Sequence, residues 1–360
     1  MRLAAWPGCA VAPLLRWGAS GRRHRADYGG GPQVRLAVAA CLSLGVIVPA
    51  SGFVTGPAWA AGAGFPLTLR NCGATLTLEA PPQRLVAVKS SMVELVLALG
   101  LGERLVGVAF LDGPIPTEPG PGGGPAAAPD LPVLSDRVPA QEVVLETAPD
   151  LVLAGWESVL TASGAGARDS YAALGIATYV APVACRSGPD RPDRITFEDV
   201  FAQTLEVGRI LGVPERAERL VAAQRAQLAG VAAREGLSAL WYSSGTATPF
   251  VGGGLGGPQM MLEALGLSNI MADIPDSWAS VSWEAVAVRE PDVIVLVDAV
   301  WNPVAQKRQL LAAMPVTRGL AAVAEERYLV IDFAAAEPGV RSVPALLDLA
   351  AQLEGLGGAE

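Results

Sequence analysis

Histidine is almost absent from this 360-residue chain, and its only copy, His24, lies in a basic N-terminal segment. A Ser-His-Asp or Cys-His catalytic arrangement requires an imidazole, and zinc sites commonly contain several. Beyond residue 60 the sequence therefore excludes histidine-dependent catalysis. It also predicts no metal site and no catalytic cofactor there.

Long apolar runs are also missing after position 60. The apolar segments there are strand-sized or amphipathic, shorter than the roughly 20 residues of a membrane-spanning helix. Residues 1–60 differ, because Arg22, Arg23 and Arg25 precede an apolar run from Leu36 to Val48 and an Ala-Trp-Ala sequence at 58–60. This order is typical of a secretory signal, so we expect export and cleavage after residue 60.

A membrane anchor is the alternative reading of the leader. It fits poorly, because the apolar run is short and ends at Pro49. The sequence Val-Ala-Ala-Cys ending at Cys41 resembles a lipidation signal, although Arg35 lies only six residues upstream. Lipid tethering at Cys41 therefore stays an open alternative to a free periplasmic or extracytoplasmic protein.

Charge and cysteine are both scarce after the leader. Removing residues 1–60 leaves 20 Lys+Arg against 34 Asp+Glu, a formal charge of −14. Such acidity argues against nucleic acid as a partner. Only Cys72 and Cys185 remain, and in an oxidising compartment this pair favours a disulfide over two buried thiols.

A twelve-residue pattern occurs twice, at Glu142–Leu153 and at Glu284–Val295. Each copy has a glutamate at the start of a short amphipathic helix, then Pro-Asp, then an apolar strand. Proline disfavours helix in the residue before it, so each helix should end there. Two copies 142 positions apart indicate two similar lobes with a binding cleft between them.

Strand and helix patterns alternate on both sides of a helical stretch. We predict an α/β fold of two Rossmann-like lobes with parallel sheets, residues 65–196 and 237–360. Residues 197–236 form the helical connection, and its second helix is expected from Glu215 to about Arg234. At 1.5 Å per residue this long bridging helix would span about 30 Å.

The order of these segments resembles the substrate-binding proteins of ABC importers that have one rigid helix between two lobes. The resemblance covers about residues 65–356. Its markers are the stretch Pro82–Val108, with its strand, serine pair, glutamate and Ala-Leu-Gly-Leu-Gly, and the two glutamate segments. It implies a solute-binding protein that is not an enzyme, with a small-molecule ligand. It also implies a partner, an ABC permease dimer with a cytoplasmic ATPase.

In that family a surface glutamate on each lobe docks on the permease, and the matching residues here are Glu142 and Glu284. Ligand contacts are expected where strands end and helices begin. The cleft candidates that satisfy this rule are Lys89, Ser90, Ser91, Asp112, Trp156, Tyr242, Trp278, Trp301 and Arg341. For each, helix capping or packing is the alternative role.

Taken together, Trp156, Trp278 and Trp301 with the cations Lys89 and Arg341 favour a flat aromatic ligand with a negative group. The pattern Asn-Cys-Gly, Val-Lys-Ser-Ser and Ala-Gly-Trp-Glu-Ser resembles the branch assigned to a 5-deazaflavin coenzyme precursor bearing phospholactate. Ferric siderophore, cobalamin and haem are the alternative cargoes. An enzyme on the same lobes, or a secreted sensor without a permease, are alternatives of another class.

Overall fold

The computed structural model describes residues 64–115, 130–186 and 188–357. The predicted export segment, with His24 and Cys41, lies outside these residues. These described residues form one compact unit. No helix in the described part of the chain is both long enough and apolar enough to cross a bilayer.

The described chain begins with an antiparallel hairpin, β1 (Leu67–Asn71) and β2 (Ala74–Leu78), as its alternating pattern predicts. Cys72 and Gly73 form the turn with φ angles of 44° and 80°, a backbone region that glycine adopts easily. The buried Asn71 amide exchanges two hydrogen bonds with the Val180 backbone, at 2.7 and 2.8 Å. The hairpin is thereby fixed to the edge of the first sheet.

The first lobe is built on a five-stranded, fully parallel sheet in the order β5-β4-β3-β6-β7. Its sequence order reverses between β3 and β6, and such a switch point opens a crevice at the carboxyl ends of the strands. The elements of the lobe are β3 (Leu85–Val88), α1 (Ser90–Ala98), β4 (Leu105–Ala109), β5 (Val133–Ser135), α2 (Gln141–Glu146), β6 (Leu151–Ala154), α3 (Arg168–Ala172) and β7 (Ala177–Val180).

Two antiparallel helices connect the lobes, α4 (Phe197–Ile210) and α5 (Pro214–Leu228). Near its start α5 contacts the first lobe, since Arg216 donates to the Leu99 carbonyl at 2.9 Å. Further along, Gln224 donates to the Val340 carbonyl of the second lobe at 2.8 Å. The helix α5 therefore bridges the lobes.

The predicted length of the bridging helix was wrong. It ends at Leu228 rather than near Arg234, because Gly230 follows and the Arg234 N–H pairs with the Leu265 carbonyl instead of continuing the helix. Its 15 residues span about 22 Å, not 30 Å.

The second lobe has a six-stranded sheet in the order β11-β9-β8-β12-β13, with β10 beside β8. The expectation of a parallel sheet holds for β8, β10, β12 and β13 but is wrong for β9 and β11, which run antiparallel. The strands are β8 (Ser238–Ser244), β9 (Phe250–Gly252), β10 (Ser268–Asn269), β11 (Trp278–Ser280), β12 (Val293–Asp298) and β13 (Tyr328–Asp332).

The helices of the second lobe cover its sheet and supply the loops that face the first lobe. They are α6 (Gly257–Ala264), α7 (Trp283–Arg289), α8 (Val304–Ala313), α9 (Ala321–Ala324), α10 (Phe333–Ala336) and α11 (Ser342–Gly357).

The repeated sequence pattern has the same structural role in both lobes. Asp150 accepts the backbone N–H groups of Gln83 and Arg84, just before β3, at 2.7 and 2.9 Å. Asp292 accepts the N–H of Ser238, the first residue of β8, at 2.8 Å. Each Pro-Asp therefore holds the start of the neighbouring central strand, in addition to ending its helix.

Candidate functional site

A cavity of about 670 Å³ lies between the two lobes. The first lobe contributes the turn after β6 and the cavity-wall segment, which we define as residues 183–186 and 188–195. The second lobe contributes the ends of β8 and β9 and the loops before α6, before β11 and after α10. The lining residues are Ser91, Gly155, Trp156, Glu157, Ser158, Val183, Ala184, Cys185, Arg186, Arg191, Pro192, Ile195, Ser243, Phe250, Leu255, Gly257, Asp276, Ser277, Trp278, Phe333, Glu337 and Pro338.

Lys89 and Trp156 meet at the switch point of the first sheet, directly after β3 and β6. The Lys89 Nζ lies 3.7 Å from the centroid of the Trp156 ring and 4.4 Å from that of Phe110. It also donates to the Asp112 carboxylate. Lys89 is 1% exposed. Its charge is therefore balanced by Asp112 and by aromatic faces beneath the cavity.

Gly155 allows this close packing. A Cβ at position 155 would lie 2.7 Å from the Lys89 Cβ and 2.7 Å from the Ser91 Oγ. Both distances are shorter than a carbon can tolerate. The Gly-Trp sequence after β6 thus lets the indole ring lie over the lysine.

The Trp156 indole links the two lobes at the bottom of the cavity. Its Nε1 donates to the Glu337 Oε2 at 3.1 Å, and Phe333 lies 5.6 Å from the Lys89 Nζ. Burial raises the pKa of Glu337, although the nearby Lys89 charge and the indole hydrogen bond act in the opposite direction. One face of Trp156 is occupied by Lys89, and the residue also lines the cavity.

A second contact between the lobes joins Arg341 to Glu94. The Arg341 Nε and Nη2 donate to the two Glu94 oxygens at 2.7 and 2.5 Å, and Nη2 also donates to the Pro114 carbonyl at 3.0 Å. Burial raises the pKa of Glu94 to about 7; the Arg341 hydrogen bond and charge oppose this shift, and the Asp112 charge adds to it. Arg341 is thus held in an ion pair behind the cavity.

The second lobe contributes further aromatic side chains to the lining. Phe250 and Trp278 stack with their ring centroids 5.7 Å apart and their planes 15° apart, on the paired strands β9 and β11. Trp301 is 62% exposed and contacts Phe333 edge-on, with ring centroids 5.6 Å apart. Flat apolar surfaces therefore face the cavity from both lobes.

The sequence candidates fall into three groups. Ser91, Trp156 and Trp278 line the cavity. Trp301 is not part of the lining, but it contacts Phe333, which is. Lys89, Asp112 and Arg341 lie outside the lining, in the two ion pairs.

Two candidates do not face the cavity in this structure. Ser90 is fully buried, and its hydroxyl accepts the Asp112 N–H at 2.8 Å. Tyr242 is fully buried, packs edge-on against Trp283 at 5.1 Å, and donates to the Gly245 carbonyl. In this structure both side chains take part in internal hydrogen bonds, and Tyr242 also packs against Trp283.

Sequence reasoning missed Arg186, Arg191 and Phe250 as lining residues. The arginines follow Cys185, and Cys185 forms a disulfide with Cys72 in the structure. The signal available in the sequence was the predicted disulfide between Cys185 and Cys72 of the hairpin, because it fixes the residues that follow Cys185 to the first lobe.

Glu142 and Glu284 lie in equivalent places on the two lobes. Each is exposed and occupies the first turn of its helix, α2 or α7. Their neighbours Gln141 and Trp283 pack inward, with Gln141 bonded to Ser170 and Trp283 bonded to the Thr246 carbonyl. Within the described residues no group of three or more His, Cys, Asp or Glu side chains is arranged to hold a metal.

Comparison with known proteins gives a family match over most of the described part of the chain. A sequence model of the family described as periplasmic binding protein matches residues 85–335. An uncharacterised ABC transporter substrate-binding lipoprotein of Bacillus subtilis (strain 168), YvrC, is 24% identical over 252 residues, which cover 68% of this chain and 73% of that protein.

Solved structures have the same fold. A periplasmic binding protein from Veillonella parvula superposes with a TM-score of 0.69 at 24% identity, covering 80% of this chain and 97% of that one. A protein of an ABC-type Fe3+-hydroxamate transport system from Saccharomonospora viridis gives 0.67 at 28% identity, covering 82% and 100%. The periplasmic heme-binding protein RhuT from Roseiflexus sp. RS-1 gives 0.59 at 23%, covering 76% and 98%.

Proposed function

The chain belongs to the periplasmic binding protein family, and we propose that it is the extracytoplasmic solute-binding component of an ABC importer. It captures one small organic molecule between its lobes and delivers it to a permease dimer driven by a cytoplasmic ATPase. The observation that carries this proposal is the cavity of about 670 Å³ bounded by both lobes. Clefts of several hundred cubic ångströms suit cofactor-sized ligands.

The lining favours binding over turnover. It contains no histidine, its one cysteine is in the disulfide, and its carboxylates accept hydrogen bonds from N–H groups of the chain. General acid–base or nucleophilic catalysis needs a titrating group free to reach a substrate. A binding role requires only the aromatic and polar surfaces that are present.

The proposed ligand is a planar aromatic molecule with an acidic group, such as a 5-deazaflavin coenzyme precursor bearing phospholactate. Trp156 from the first lobe lines the cavity together with Phe333 and the stacked pair Phe250 and Trp278 from the second, and these rings offer flat surfaces to a ring system. Aromatic pairs contribute about 0.5–1.5 kcal/mol beyond area burial. Several such contacts support a fused-ring ligand.

A ferric hydroxamate siderophore is the second candidate. It is favoured by the likeness to the Saccharomonospora viridis structure, at 28% identity over the whole of that chain. A chelate of this kind brings its own oxygen ligands to the iron, so it needs shape and polarity from the cavity rather than metal-binding side chains.

Docking on the permease is assigned to Glu142 and Glu284. Two exposed carboxylates, one on each lobe, can pair with basic pockets on a two-fold symmetric partner. Cleavage after residue 60, or lipid attachment at Cys41, would place the lobes outside the cytoplasmic membrane, where such a partner is available.

Uptake in a host strain lacking the gene tests this role. Complementation with Glu142→Ala/Glu284→Ala is expected to abolish uptake while the purified protein binds its ligand with unchanged affinity. The matched control is Glu146→Ala/Glu354→Ala, which removes two other exposed carboxylates. Full uptake by the docking variant would refute the docking assignment.

A further inference from the structure

Two guanidinium groups of the cavity-wall segment are available to a ligand. Arg186 and Arg191 line the cavity and are exposed, and neither side chain has an ion pair within the described part of the chain. Two carboxylates of the lining are engaged instead: Asp276 accepts the Ser277 N–H at 2.7 Å, and Glu337 accepts the Trp156 Nε1–H.

Glu157, the third lining carboxylate, accepts the backbone N–H of Arg186. This bond is made by the Arg186 backbone, and the guanidinium group has no ion pair within the described residues. Burial raises the pKa of Glu337, and the Arg186 charge opposes that rise, so the guanidinium group lies near enough to this lining carboxylate to interact with it. The charged hydrogen-bond donors of the lining are therefore the guanidinium groups of Arg186 and Arg191, which are five residues apart. Each guanidinium carries five N–H donors in a planar fork that matches a phosphate or carboxylate.

The segment that carries both arginines is fixed at its two ends. At one end Cys185 is bonded to Cys72 of the hairpin, and Asp190 accepts the Gly73 N–H at 2.7 Å. At the other end the Ile195 N–H donates to the Leu255 carbonyl of the second lobe at 2.8 Å. Anchoring of this kind lowers the entropy lost when the arginines bind.

Lys89 and Arg341 are unsuited to the anion-binding role that the sequence suggested. Lys89 is buried against Asp112, and Arg341 is paired with Glu94, so a ligand anion would have to displace an internal carboxylate from each. Breaking a buried pair is costly. The positive charges left at the lining are those of Arg186 and Arg191.

We infer that Arg186 and Arg191 bind the anionic group of the ligand, while its ring system lies against the aromatic side chains of the lining. This inference rests on the proposed function and specifies it. The ligand is a planar molecule with a phosphate or carboxylate on a side chain. That side chain points from the ring site toward the cavity-wall segment.

The test compares two probes that differ only in the anionic group, a 5-deazaflavin ribityl compound and its phospholactate derivative. Fluorescence titration of the wild-type protein is expected to give at least tenfold tighter binding of the phospholactate form. A tenfold preference corresponds to about 1.4 kcal/mol, shared between the two charge-assisted contacts. High salt should reduce this preference.

In Arg186→Gln/Arg191→Gln the preference is expected to fall toward one, with binding of the uncharged probe unchanged. The control is Arg194→Gln, since Arg194 belongs to the same segment but is paired with Glu263 and does not line the cavity. It should keep the wild-type preference.

A phospholactate preference that survives in the double variant would overturn the inference alone. A wild-type protein that binds neither probe would overturn the inference together with the deazaflavin assignment. Binding of a ferric hydroxamate in that case would leave the importer role intact.

Discussion

Removal of the Cys72–Cys185 disulfide should strongly destabilise the protein. The bond closes a loop between residues 113 positions apart. In the chain-entropy description, a loop of this length corresponds to about 5 kcal/mol at 25 °C, and native disulfides usually contribute about 2–5 kcal/mol. Of the 360 residues, 60 belong to the predicted leader, which leaves 300 in the chain after it. With an unfolding entropy near 2.1 cal/mol/K for each of them, a loss of about 5 kcal/mol would lower the Tm by roughly 8 °C.

The variant Cys72→Ala/Cys185→Ala isolates this effect, because both side chains are buried and alanine avoids introducing a polar group. Urea unfolding followed by tryptophan fluorescence would measure the free energy of unfolding. The control is Asp190→Ala, which removes the non-covalent contacts of the same segment with Gly73 and Arg70 but keeps the disulfide. It should cost about 1 kcal/mol.

Two results would refute this reasoning. One is an unfolding midpoint of the double variant equal to that of the wild type. The other is complete alkylation of both thiols in unreduced, denatured protein exported by the native host.

Three further predictions concern the contacts between and within the lobes. Burial raises the pKa of Glu94 from 4.5 to about 7, so between these two pH values the folded state binds more protons than the unfolded state. The stabilisation that this proton binding gives is fully present below pH 4.5 and is lost as the pH rises through 7. Glu94→Gln should therefore flatten the pH dependence of unfolding by about 3 kcal/mol across this range, and an unchanged slope in urea titrations would contradict it. Gly155→Ala should lower stability by about 1–3 kcal/mol through overpacking against Lys89, whereas Gly319→Ala, which meets open space, should not. Calorimetry would measure the melting temperatures of the two variants, and equal values would contradict the close packing of Gly155 against Lys89. Glu337→Gln should keep the fold and weaken binding of a planar probe through looser positioning of Trp156; titration showing wild-type affinity would exclude that role.

Local patterns in the sequence predicted much of the fold. The Pro-Asp pairs at 149–150 and 291–292 end their helices as expected, and Gly73 and the alternation of the hairpin predict its turn. These features depend on residues within a few positions of one another. The short antiparallel strands β9 and β11 could not be read in this way, because each has only three residues.

Pairing between distant residues decided the site and was not accessible from one sequence. Lys89 and Arg341 were reasonable anion-binding candidates by position, but Asp112 and Glu94, 23 and 247 residues away from them, neutralise their charges. Arg186 and Arg191 are exposed and lie in a segment without regular pattern. Only the folded chain brings them to the cavity with the aromatic side chains.

Native mass spectrometry of the mature protein, purified from its own host, tests the central claim most directly. A solute-binding protein should carry one small molecule per chain, released on denaturation, and the bound molecule should raise the melting temperature when added back. The variant Trp156→Ala should lose most of this adduct. A chain that carries no adduct, and that no member of a panel of deazaflavins, ferric hydroxamates, cobalamin and haem stabilises, would contradict the proposed capture of a solute between the lobes.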